Sequence, residues 1–146
     1  MNVGNTDIGL SPDLRTVGAM TNPTTNTLAW VEVATDDPDT AVAFYTDLFG
    51  WTFAPFADPE EAGVDYRVAS QPGGGPPFGG VVATGAAMAP HAVFSIAVAD
   101  VGAICRATEK LGGTVVLEDL SPKAGPPNAY LRDPLGNLFG VFAPPG

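Results

Sequence analysis

The clearest signal in the chain is a change of hydrophobic period that occurs twice. Leu28–Ala34 is apolar and strand-like. Asp37-Pro38 then supplies a helix start, with Asp37 as N-cap and Pro38 at the first helical position. Ala41, Phe44, Tyr45 and Leu48 follow at helical spacing, and Gly50 closes the segment. Short strands are expected near Trp51–Ala54, Asp65–Ser70 and Gly80–Thr84, with a loop over Gln71–Phe78 that contains PGGGPP. The order then recurs. Ala92–Val98 reads as a strand, and Asp100 can cap a helix whose face carries Val101, Ile104, Cys105, Thr108 and Leu111. Gly112-Gly113 ends that helix, and strands follow at Thr114–Glu118, Asn128–Arg132 and Leu138–Phe142. Asp133-Pro134-Leu135-Gly136-Asn137 is a strong turn signal between the last two.

The strand-to-helix units recur at an offset of about 65 residues, and that repeat decides the fold. It predicts an α+β architecture: two βαβββ modules in one chain (27–86 and 90–144, within a domain over 27–146), forming a cup-shaped mixed sheet with helices on the outside. Residues 1–26, rich in Asn, Thr, Gly and Pro, read as a flexible tail, although Leu10, Leu14 and Val17 could form a short helical face.

Composition adds exclusions. A chain of 146 residues with 45% hydrophobic and 15% charged residues suits one globular domain. Of its sixteen acids, eleven fall in residues 1–65 beside a single base, Arg15, whereas residues 66–146 balance five against five. A net charge of −10 leaves no basic footprint for nucleic acid and no polybasic membrane anchor. With no spanning apolar run and no secretory leader pattern, a cytoplasmic protein is expected. Cys105 is the only cysteine, so an intrachain disulfide and a cysteine-rich zinc site are excluded. The PGGGPP loop lacks the following helix and GK[ST] of a phosphate cradle and reads as a flexible lip.

Trp30-Val31-Glu32-Val33, Asp37-Pro38, Phe44-Tyr45 and Leu48-Phe49-Gly50-Trp51, with Leu111-Gly112-Gly113 and the closing Asp133-Pro134-Leu135-Gly136-Asn137, resemble the vicinal oxygen chelate superfamily. This is the glyoxalase/bleomycin-resistance/dioxygenase fold, and the resemblance covers residues 28–143. Its enzymes usually hold a divalent metal with His, Gln or Glu from the inner strands. The resemblance places those positions at Trp30, Val93 and Gly140 and within Gly80–Thr84, where no imidazole or carboxylate stands. It therefore implies a member with no metal and no cofactor, and a homodimer, since related domains commonly dimerise.

Alternation along the strands predicts the lining of the cup. Trp30 and Glu32 should face inward, as should His91, Val93 and Ser95, then Asn128, Tyr130 and Arg132, then Leu138, Gly140 and Phe142. Such a lining, aromatic and apolar with a few polar groups, suits a small-molecule ligand or substrate, and Gly140 leaves room for one to approach. Glu32 is the unusual member, because a carboxylate in an apolar cup resists ionisation unless paired. It could serve as general acid or base with Tyr130 or His91 as catalytic partner, or it could pair structurally with Arg132, Arg67 or Tyr130. Trp30, Val93, Ser95, Asn128, Arg132, Leu138, Gly140 and Phe142 are the candidate substrate-binding positions. Three functions follow as expectations. The first is a metal-independent isomerase, cyclase or lyase of natural-product metabolism built on Glu32. The second is a non-catalytic drug-sequestering protein of the bleomycin-resistance kind. The third is a metal-dependent glyoxalase- or dioxygenase-like lyase in which Glu32 and His91 serve as displaced ligands.

Overall fold

A computed structural model describes residues 24–85 and 88–145; the tail over 1–26 lies almost wholly outside them. Strand β1 (Thr27–Thr35) leads into α1 (Pro38–Phe49). The Asp37 carboxylate accepts from the Thr40 backbone N–H at 3.1 Å and from its hydroxyl at 2.7 Å, and Gly50 ends the helix in the left-handed conformation. The Thr40 hydrogen bonds hold the Asp37 carboxyl below the usual aspartate range. Three strands complete the half: β2 (Thr52–Pro55), β3 (Tyr66–Ser70) and β4 (Pro77–Ala83). The second half repeats the plan with β5 (His91–Ala97), α3 (Val101–Lys110), β6 (Thr114–Asp119), β7 (Asn128–Arg132) and β8 (Leu138–Phe142). Here α2 (Pro59–Ala62) is a single turn inside the first half, capped by Asp58.

All eight strands join in one mixed sheet ordered β2-β3-β4-β1-β5-β8-β7-β6. β1 and β5 pair antiparallel at its centre, and each pairs in parallel with the last strand of its own half. The order on either side of the centre is therefore a mirror: β1, β4, β3 on one side and β5, β8, β7 on the other.

The two halves differ from expectation in detail. β4 starts at Pro77 rather than Gly80, because a proline is tolerated at the first residue of a strand. The PGGGPP loop is correspondingly tighter and contains a 3-10 turn at Pro72–Gly74. α2 was not expected; Asp58 accepts from two backbone N–H groups and nucleates it within the acidic loop. The Asp133 turn forms as expected, its carboxylate accepting from the backbone of Leu135 and Asn137 and from the Asn137 side chain.

The packed core lies in the second half. Val98, Val101 and Cys105 meet Ala129, Leu131 and Val141, all buried. Burial raises the Cys105 thiol above its ordinary range, as befits a packing cysteine. α1 has no fully buried residue, and Phe44, Leu48 and Phe49 are each more than half exposed. At the sheet centre, Val31 and Phe94 pair across β1 and β5 and remain exposed.

Candidate functional site

The inner face of the sheet gathers one carboxylate and three aromatic side chains. Glu32 is the buried charged residue of the core region, at 9% exposure. It sits on β1 opposite Gly80 of β4 and Val93 of β5. The Tyr130 hydroxyl, from β7, donates to Glu32 Oε1. The Tyr66 hydroxyl, from β3, accepts from Trp30 Nε1 at 2.8 Å and lies over Gly80, the β4 partner of Glu32. Burial raises both phenols above the usual tyrosine range, and the adjacent Glu32 charge adds to it. Both hydroxyls are therefore protonated donors at neutral pH.

Tyr66 crosses a glycine. A Cβ on Gly80 would lie 2.2 Å from Tyr66 Cε1, so only glycine lets that ring lie across β4. Tyr130 pairs with Gly140, which pairs in turn with Ser95, and a Cβ on Gly140 would meet Ser95 Oγ at 2.9 Å.

His91 stands behind Tyr130, ring edge to ring face at 5.9 Å between centroids. Its Nδ1 is 2.9 Å from the Ala89 carbonyl oxygen. A carbonyl can only accept, so the proton belongs on Nδ1 and the lone pair on Nε2. That Nε2 is buried without a hydrogen-bond partner.

The structure thus brings Trp30, Glu32, Val93, Tyr130 and His91 together, with Ser95 and Gly140 along the same wall. Other expected lining residues lie elsewhere. Arg132 is exposed and donates to the Gly136 carbonyl at 2.9 Å, and Asn128 Nδ2 donates to the Pro126 carbonyl at 3.1 Å. Leu138 lines an open groove of about 620 Å³ with Val31, Phe94 and Phe139; His91 and Val93 also border it, but Trp30, Glu32, Tyr66 and Tyr130 do not. Phe142 pairs with Asn128 at the far end of β8. The structural pairing of Glu32 with arginine does not occur. Arg67 is committed to Asp39 at 2.7 Å and Asp65 at 2.9 Å, and these bonds hold the Asp65 carboxyl below its ordinary range.

Sequence reasoning missed Tyr66. Alternation over Asp65–Ser70 and the spacing of Tyr66 from Tyr130, which matches the repeat, would together have found it.

The donor set also bears on the metal usual in this fold. Glu32 is the only carboxylate of the cluster, the Tyr130 ring lies against the His91 imidazole and its hydroxyl bonds to Glu32, and among the described residues no three His, Cys, Asp or Glu side chains converge. The residues present do not fit a divalent cation.

Comparison with known proteins gives consistent results. The family model "Glyoxalase/Bleomycin resistance protein/Dioxygenase superfamily" matches residues 27–141. Two mycobacterial relatives, each called "Putative glyoxylase CFP32", from Mycobacterium bovis and Mycobacterium tuberculosis, are 34% identical over 143 residues. The match takes in 94% of this chain and 51% of theirs, so the chain spans about half the length of these curated relatives. Among solved structures, methylmalonyl-CoA epimerase from Mycobacterium tuberculosis superposes with a TM-score of 0.56 at 18% identity, over 88% of this chain and 96% of that one. The Streptomyces coelicolor epimerase with bound 2-nitronate-propionyl-CoA gives 0.58 at 16%, over 84% and 100%. At these identities the likeness is one of fold.

Proposed function

The chain belongs to the Glyoxalase/Bleomycin resistance protein/Dioxygenase superfamily, and from the geometry of its cup we propose a metal-independent enzyme that moves a proton next to a carbonyl group, with Glu32 as the base. The carrying observation is the buried Glu32 carboxylate with a protonated phenol, Tyr130, bonded to it.

A carbon acid supplies the chemistry such a pair can perform. Glu32 takes the proton from the carbon adjacent to a carbonyl; the C–H bond breaks and its electron pair moves onto the carbonyl oxygen as an enolate. The Tyr130 hydroxyl, which donates to Glu32 in the resting site, turns to that oxygen and stabilises the developing charge. Return of the proton to another position gives isomerisation, and return to the same carbon gives epimerisation only where the planar enolate has turned its other face to Glu32. Loss of a leaving group from the enolate gives a lyase or a ring closure. Val93, buried and paired with Glu32 across β1 and β5, puts an apolar side chain next to the carboxylate. His91, with its unpartnered Nε2, can accept a hydrogen bond from a hydroxyl or N–H of the substrate. An apolar or aromatic carbonyl compound, including the kind made in natural-product pathways, fits these walls. That solved neighbours of the fold are epimerases supports the same class of reaction.

The test is kinetic. Wild type and Glu32→Gln are compared on a panel of acyl thioesters and cyclic diketones, with affinity and turnover measured separately. The reading expects turnover to fall by about 10²–10⁴-fold with affinity little changed. Binding without turnover in wild type would instead mark a sequestering protein.

A further inference from the structure

We propose that Tyr66, held by Trp30, is a positioning residue for the Glu32 carboxylate, so that the cup assigns different tasks to its two tyrosines. The inference rests on the reading of Glu32 as the reacting group.

The argument starts from what an indole can do. Trp30 Nε1–H is a donor only, so at 2.8 Å the Tyr66 oxygen must accept. The Tyr66 proton is thereby left for another acceptor, and the geometry brings the Glu32 carboxylate to it: Gly80 pairs with Glu32, and a Cβ on Gly80 would lie 2.8 Å from the Tyr66 oxygen. A directed chain results, from the Trp30 N–H to the Tyr66 O–H to Glu32. Tyr130 approaches the same carboxylate from the other half of the sheet. The mirror order of the strands explains why. Tyr66 and Tyr130 come from β3 and β7, which occupy equivalent places two strands out from β1 and β5.

The symmetry is broken in three ways. Glu32 stands on β1, with Trp30 two residues before it on the same face. On β5 the corresponding inward residues are Val93, which has no donor, and Ser95, whose pairing partner is Gly140; Tyr130 bonds instead to Glu32. Tyr66 is bonded on one side by Trp30 and abuts Glu32 on the other, with its ring fixed across Gly80. Tyr130 has Glu32 as its recorded hydrogen-bond partner and His91 at its ring. A substrate can therefore displace the Tyr130 hydroxyl from Glu32 at the cost of one bond, whereas moving Tyr66 breaks the chain through Trp30. Tyr66 keeps the carboxylate oriented while Tyr130 turns to the substrate.

The groups facing Glu32 are few. They are Tyr66 from β3, Tyr130 from β7 with His91 of β5 behind it, the Gly80 backbone of β4, and Val93 of β5. Arg67 and Arg132 are engaged elsewhere.

Infrared spectroscopy of ligand-free protein with 13C-labelled glutamate reads the carboxylate directly, and subtracting the Glu32→Gln spectrum isolates the Glu32 band. Tyr66→Phe retains the ring over Gly80 and removes only the hydroxyl; Trp30→Phe retains Tyr66 and removes only its anchor. The proposal expects the antisymmetric stretch of Glu32 to shift in Tyr66→Phe, and to shift in the same direction by less in Trp30→Phe. Tyr45→Phe, altered where Tyr45 stacks on Trp51, should leave the band in place. On a substrate found by the panel, Tyr66→Phe should lower kcat about tenfold to a hundredfold with KM little changed, the scale of one hydrogen bond to a charged group. An unshifted band in both Tyr66→Phe and Trp30→Phe would overturn the proposal. Should Tyr66→Phe fail to fold, the Trp30→Phe band decides. A shifted band together with full turnover in Glu32→Gln would instead overturn the reading of Glu32 as the base and leave the positioning intact.

Discussion

The two halves of this sheet share a plan and divide the labour. The second half holds the packed core, where Leu131 is fully buried between the sheet and α3. The first half has an equivalent helix, α1, with no fully buried residue, yet it carries Glu32, Trp30 and Tyr66. A buried carboxylate costs stability unless its lone pairs are satisfied. Here that cost falls on β1, and a neighbouring half with a strong core supports it. The comparison teaches that the site is built across the centre of the sheet. Removing the contribution of either half should therefore do different damage.

The largest expected effect is on chemistry rather than stability. Glu32→Gln keeps the shape of the side chain and should lose about 10²–10⁴-fold in turnover, with a melting temperature close to wild type. Tyr130→Phe should lose about 10²-fold, as expected for one oxyanion donor. If both variants kept full turnover, the division of labour would lose its functional side.

Stability should show the opposite pattern. Leu131→Ala is expected to cost about 2–5 kcal/mol in denaturant unfolding, whereas Leu48→Ala on α1, 57% exposed, should cost below about 1 kcal/mol. Equal losses would mean that the first half is packed as tightly as the second. Between these lies a steric contrast. Gly80→Ala drives a methyl into the Tyr66 ring and should cost about 1–3 kcal/mol. Gly140→Ala meets only the Ser95 hydroxyl, the free end of a short side chain, and should cost less than that.

The smallest effect concerns acid. Asp37, Asp65 and Asp133 all have folded-state carboxyls below the ordinary value of 3.8, held there by Thr40, Arg67 and Asn137 respectively. A depressed carboxyl stabilises the fold fully above its unfolded value and loses that contribution as pH falls through the folded one. The stability curve should therefore be flat from neutral pH to about pH 5 and decline below about pH 4. Asp37→Asn and Asp65→Asn should soften the decline in the first half, and Asp133→Asn in the second.

Much of this contrast was legible in the sequence. β7 and β8 begin and end at the expected residues because Asp133-Pro134-Leu135-Gly136-Asn137 fixes the turn between them. Glu32 stood out because strict alternation placed a carboxylate on an inward position. Tyr130 was placed by the same rule. Arg132 obeyed the alternation too, but a side chain that long reaches the Gly136 carbonyl and leaves the cup. Tyr66 was not legible from its own strand alone; alternation there has to be joined to the repeat spacing from Tyr130, and the course of its ring needs Gly80, fourteen positions away in the chain. Nor did any local pattern show that α1 would be poorly buried. Its apolar spacing is regular, and only the course of the sheet beneath it leaves Phe44 and Leu48 exposed.

The central claim is that Glu32 moves a proton to and from carbon. Incubation of wild-type protein with the carbonyl panel in deuterated water, followed by proton NMR, tests it most directly. The account expects deuterium to enter at the carbon beside the carbonyl with wild type, more slowly with Tyr130→Phe, and at the uncatalysed rate with Glu32→Gln. Exchange that proceeds undiminished in Glu32→Gln, or a bound panel compound that wild type leaves unlabelled, would contradict it.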